Sequence, residues 1–88
     1  MDLQSRMRAD MQRLRVHERA FATMTVDVLF QTLEESFCAH VTRALSAGAT
    51  PDEVRAVVRF SAQFGMTKAW RGLRVLNALF TETGTIFA

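Results

Sequence analysis

Neither glycine nor proline occurs in the first 47 residues of this chain. The rest holds one proline, Pro51, and four glycines at 48, 65, 72 and 84. With so few backbone breakers, and with no apolar/polar alternation lasting more than a few residues, the chain has one regular option, the helix. The sequence therefore predicts an all-α fold of about five helices.

The first predicted helix spans about Asp2 to Arg15. Leu3, Met7, Met11 and Leu14 recur every three or four residues as a narrow apolar stripe among Arg6, Arg8, Asp10, Arg13 and Arg15. Such a thin seam predicts docking on a partner helix. Residues 1–15 thus form an N-terminal amphipathic helix for oligomer contact, and residues 16–88 form the domain proper. The second helix, about His17 to Gln31, is apolar nearly all round, which predicts a central position. Asp27 is its one internal charge and is expected at solvent or at a subunit boundary.

Thr32-Leu33-Glu34-Glu35 has capping-box spacing and predicts a break there. The third helix then runs to about Ala47, ended by Gly48. Its expected buried arc is Phe37, Cys38, Val41, Ala44 and Leu45. Thr50-Pro51-Asp52-Glu53 combines an N-cap, a proline at the first helical position and early acids, so a fourth helix starts there. Val54, Val57, Val58, Ser61 and Ala62 are its expected buried face, widened by Phe60 and Phe64 and closed by Gly65. Thr67 is expected to cap a fifth helix, from Lys68 to about Thr81, burying Trp70, Leu73, Leu76 and Phe80. Ile86 and Phe87 in the tail are expected to pack on a neighbour.

At 88 residues the chain makes one domain. Domains this small bury a modest share of their surface and often rely on disulfides, metals or partner subunits. One cysteine excludes an intrachain disulfide, and two histidines with one cysteine lack zinc-site spacing. No metal or other cofactor is expected. A 49% hydrophobic composition points instead to subunit burial in a homo-oligomer. Net charge is +2, and the ten arginines are scattered with acids between them. No basic stripe interleaved with aromatics stands out, so nucleic acid is not an expected partner. No apolar run approaches ~18 residues and no leader-type apolar region opens the chain. Neither a membrane span nor a signal peptide is expected, and a free cysteine fits a reducing cytoplasm.

His40 sits at the edge of the third helix's buried arc, beside Ser36 and Arg43. There an imidazole can meet a ligand and act as general acid or base, or it can be a half-buried side chain bonded to a carbonyl. Cys38 lies roughly 200° from His40 around the helix and reads as a small buried hydrophobe. Trp70 can pack in the core or wall an apolar pocket, with Lys68 and Arg71 near it to hold an anion.

The run His40-Val41-Thr42-Arg43-Ala44-Leu45-Ser46-Ala47-Gly48-Ala49-Thr50-Pro51-Asp52-Glu53-Val54, followed by Phe64-Gly65, Ala69-Trp70 and Leu73-Arg74-Val75-Leu76, and preceded by Glu18-Arg19-Ala20-Phe21, resembles the carboxymuconolactone decarboxylase-like family. The likeness covers roughly residues 16 to 83. It implies an all-helical subunit assembling into trimers or hexamers with pockets where subunits meet. It also implies either cofactor-free decarboxylation or isomerisation of a lactone acid, or peroxide reduction by a cysteine pair. The alkylhydroperoxidase-like branch places its cysteines where this chain has Leu33 and Ser36, and an acid where it has Ala20, so thiol peroxidase activity is not expected. In the decarboxylase branch the family histidine matches His40, while the arginine two positions on is Thr42 here, with Arg43 one step late.

The resulting expectation is a cofactor-independent lyase or isomerase acting on a small carboxylated or carbonyl compound. His40 would move the proton, Arg43 or Arg71 would hold the anion, and Phe64 and Trp70 would line the pocket. The competing expectation is a non-catalytic helical oligomer that binds a small ligand or a protein through the same cavity.

Overall fold

In a computed structural model, described here for residues 2–82, the chain forms five α-helices and a short 3-10 turn, with no strand among the described residues. The helices are α1 (Leu3–Arg13), α2 (Val16–Phe30), α3 (Glu35–Ser46), α4 (Pro51–Phe60) and α5 (Met66–Glu82), and the turn is Ser61–Gln63 between the last two. The all-α expectation holds. The fourth helix starts as its residues predict: Glu53 N–H donates to Thr50 Oγ1 at 3.1 Å and Thr50 N–H donates to the Glu53 carboxylate at 2.9 Å. Gly48 follows α3 at φ +104°. Nothing lies within 4 Å of a Cβ built there, so backbone strain alone sets the cost of a side chain. Gly48→Ala is expected to lower stability by about 1–2 kcal/mol in a denaturant melt.

The break between α2 and α3 falls where expected, but a different contact makes it. Thr32 does not cap α3, whose cap is Glu34, without a side-chain bond. Its N–H donates to the Asp27 carbonyl at 2.8 Å and its hydroxyl to Asp27 Oδ1 at 2.6 Å. Gln31, in the left-handed region at φ 60°, turns the chain out of α2. Its side-chain amide donates to the Lys68 carbonyl at 3.3 Å, tying this turn to the start of α5.

As expected, α2 is central and packs on α3, α4, α5 and the 3-10 turn. Met24 and Val28 of α2 meet Phe37 and Val41 of α3, Val54 and Val58 of α4, and Leu76 and Phe80 of α5 in one fully buried core. The all-round burial implied for α2 is not found, since Val26 and Phe30 are exposed.

Helix α5 begins at Met66, so Thr67 lies inside its first turn, and the Gly65 carbonyl accepts the Ala69 N–H at 3.0 Å in the capping position. The core-facing stripe of α5 is Ala69, Gly72, Leu76 and Phe80. Trp70, expected to be buried, is 58% exposed. The physical reason is close packing: a Cβ on Gly72 would stand 3.1 Å from Val28 Cγ2 and 3.2 Å from Val58 Cγ1. Small residues at 69 and 72 let α5 approach α2 and α4, and Trp70, one position round from Ala69, is turned outward by ~100°. Phe60 and Phe64 are likewise exposed rather than widening the core. Helix α1 buries none of its residues, and its apolar stripe faces out. The expectation for Ile86 and Phe87 lies outside the described residues.

Candidate functional site

Asp27 was expected at solvent or a subunit boundary, and the fold corrects this. It is 5% exposed, on the side of α2 that meets α3. A buried carboxylate needs donors, and three side chains supply them. Thr32 Oγ1 donates to Oδ1 at 2.6 Å, Ser36 Oγ to the same oxygen at 2.7 Å, and His40 Nδ1 lies 2.7 Å from Oδ2. The turn places Thr32, and one turn of α3 separates Ser36 from His40, so both project toward α2. Burial pushes the Asp27 carboxyl up. The hydrogen bonds from Thr32, His40 and Ser36, together with the charge on His40, outweigh that and hold it below the usual carboxylate range.

An ionised carboxylate only accepts, so the ring nitrogen facing it must carry the proton. Asp27 therefore selects the tautomer of neutral His40 with its lone pair on Nε2. That nitrogen has no hydrogen-bond partner among the described residues, and the His40 side chain is 21% exposed. A histidine so oriented and open at its far nitrogen has the geometry of a general base or acid. His40 sits at the edge of its helix's buried arc as expected, but its structural partner is Asp27 and not a carbonyl. A signal was present: an acid in the apolar C-terminal half of a helix, followed by a helix with two donors four residues apart.

Of the other expected site residues, Arg43 follows His40 by three positions on α3 and neighbours it on the helix surface, whereas Phe64, Trp70 and Arg71 stand after α4 and on α5. Arg43 lines a cleft with Met11, Val16, Arg19, Ala20 and Thr23. Phe64 packs edge-to-face on Phe60, ring centres 6.0 Å apart. Trp70 lines an apolar cleft with Arg59, Ala62, Met66 and Leu73, and Arg71 lines another with Leu33 and Arg74. His40 belongs to none of these clefts. A fourth cleft is lined by residues 31–36, Thr32 and Ser36 among them.

Cys38 is half-buried. Burial and then the negative charge of Glu82 push its thiol above the ordinary value, which disfavours the thiolate that nucleophilic chemistry needs. Hydroperoxide turnover lost on Cys38→Ser is therefore not expected. Among the described residues, no three of His, Cys, Asp and Glu come together as a metal-binding group, and no helix is long and apolar enough to cross a membrane. No protein-family model, no curated protein and no solved structure matches the chain.

Proposed function

We propose that Asp27–His40 is the proton-transfer site of a cofactor-independent lyase or isomerase, built on a self-associating helical subunit and acting on a small carboxylated or carbonyl compound. One observation carries this: the 2.7 Å bond from His40 Nδ1 to a buried carboxylate that itself takes two hydroxyl donors. Asp27 orients the ring and stabilises the imidazolium that forms when Nε2 takes a proton from carbon next to a carbonyl. The proton then returns from Nε2 to the product carbon. The resemblance of the His40–Val54 run to carboxymuconolactone decarboxylase-like proteins agrees in placing its histidine at His40.

The test is solvent-deuterium incorporation at the α-carbon of a panel of small keto acids and lactone acids, followed by NMR. His40→Ala would leave Asp27 Oδ2 without a donor and cost about 1–3 kcal/mol, so lost stability alone does not separate function from structure. His40→Asn does, because its side-chain N–H stands on the same carbon as Nδ1 and can donate to the carboxylate, but it cannot carry a proton through the reaction. Exchange is expected to vanish in His40→Asn with melting nearly unchanged. Asp27→Asn presents an N–H to Nδ1, which forces the opposite tautomer and is expected to slow exchange about 10³–10⁴-fold. Exchange that persists undiminished in both variants would refute the proposal. In the second reading, a non-catalytic oligomer in which the bond only joins α2 to α3, no compound of the panel exchanges even with the wild type.

A further inference from the structure

The arginines are not evenly mixed with acids along the whole chain. From Val54 to Thr81 there are five cations, Arg55, Arg59, Lys68, Arg71 and Arg74, and no acid. The fold gathers exposed aromatics on the same elements: Phe60, Phe64 and Trp70, with Met66 beside them. The Arg74 guanidinium lies 5.0 Å over the Trp70 ring. A basic face interleaved with aromatics, which the linear sequence hid, thus exists in the folded chain.

Its chemistry favours a protein partner. Trp, Phe, Met and Arg are the side chains enriched in the centres of protein interfaces, where Lys, Glu and Asp are depleted, and here one lysine stands among four arginines. A face with no acid of its own needs an acidic, partly apolar counterpart. This chain carries one. The turn between α2 and α3 presents Glu34 and Glu35, both exposed, next to Phe30, which is 76% exposed.

Position decides the occupant. The acidic turn adjoins the cationic strip within one subunit: Gln31 bonds the Lys68 carbonyl, and Leu33 shares a cleft with Arg71 and Arg74. An acidic patch and a basic patch side by side are self-complementary under a two-fold rotation, because the acids of each copy meet the cations of the other. We infer that two copies of this chain pair through the N-terminal half of α5 and the α2–α3 turn, with Glu34 and Glu35 of one copy against Lys68, Arg71 and Arg74 of the other and the exposed Trp70 and Phe30 between them. The pairing rests on the self-association proposed above and gives it a place. The turn that carries Thr32 and Ser36, both bonded to Asp27, becomes part of the contact, so the second copy sets its own cations and Trp70 against that turn.

Sedimentation velocity at micromolar concentration tests this on the full chain. The wild type is expected to run as a dimer or a multiple of one. The double variant Arg71→Glu/Arg74→Glu and, separately, Glu34→Arg/Glu35→Arg are expected to run as folded monomers by circular dichroism. An equimolar mixture of the two is expected to restore the dimer. Trp70→Ala keeps every charge and is expected to weaken association about 30-fold or more, as loss of a central interface side chain does. Oligomers that survive both reversals would overturn this interface and leave self-association standing. A monomeric wild type would overturn both. If that monomer binds a labelled single-stranded oligonucleotide or an acidic helical peptide through Trp70, the face serves a foreign partner and the pairing is refuted.

Discussion

Asp27→Ala is expected to lower the unfolding free energy by about 3 kcal/mol, a large share of what a domain this small has. The loss has three sources: the hydroxyls of Thr32 and Ser36 and the ring N–H of His40 all give up a charged acceptor. Thr32 and Ser36 are exposed and turn partly to water, which keeps the cost below the sum of three charge-assisted bonds. For a domain of this length the melting temperature should fall by roughly 10–25 °C.

The same carboxylate makes stability depend on acid. Its folded-state pKa is lowered, so the stability it contributes is fully present above the unfolded carboxylate value of about 3.9 and is lost as pH falls through the lower folded value. Wild type should therefore lose stability in that acid window relative to Asp27→Asn, which has nothing to titrate there. Urea melts of wild type, Asp27→Ala and Asp27→Asn at a series of pH values check both points. A flat difference across the window, or an alanine variant as stable as wild type, would mean that the Asp27 network contributes little.

Gly72→Val is expected to lower stability by about 3 kcal/mol. Even one added carbon meets Val28 at 3.1 Å and Val58 at 3.2 Å, and both neighbours are fully buried on rigid helices. A valine has two methyls beyond that carbon, so α5 must lift from α2 and α4. The helix propensity gained on replacing glycine, under 1 kcal/mol, does not offset the strain. Gly72→Ala should fall between the two, and chemical melts of the pair give the ordering. Valine tolerated without loss would show that the seam between α2, α4 and α5 is looser than these distances.

Much of this was legible in the residues because its causes are local. Thr50-Pro51-Asp52-Glu53 carries all the parts of a helix start within four positions, and Gly48 is the residue that tolerates the backbone angle found there. The stripe Phe37, Val41 and Ala44 was readable because one helix face repeats every three to four residues. The edge position of His40 followed from the same wheel.

What the residues could not declare depends on which helix lies opposite. Asp27 reads as a misplaced charge in an apolar helix until α3 brings Ser36 and His40 across from it and the turn brings Thr32. The face of α5 was misjudged because periodicity alone cannot rank Trp70 against Gly72: hydrophobicity favours burying the tryptophan, whereas the closeness of Val28 and Val58 demands the glycine. The acid-free span from Val54 to Thr81 is visible in one dimension, but packing turns it into a surface by setting Phe60, Phe64 and Trp70 outward. The sequence by itself determined the class of fold, the start of the fourth helix, the glycine after the third and the edge position of His40, since these rest on backbone preferences within a few residues. Only the tertiary structure decided what His40 is bonded to and which aromatics face out, since burial and hydrogen bonding across helices depend on contacts between residues far apart in the chain.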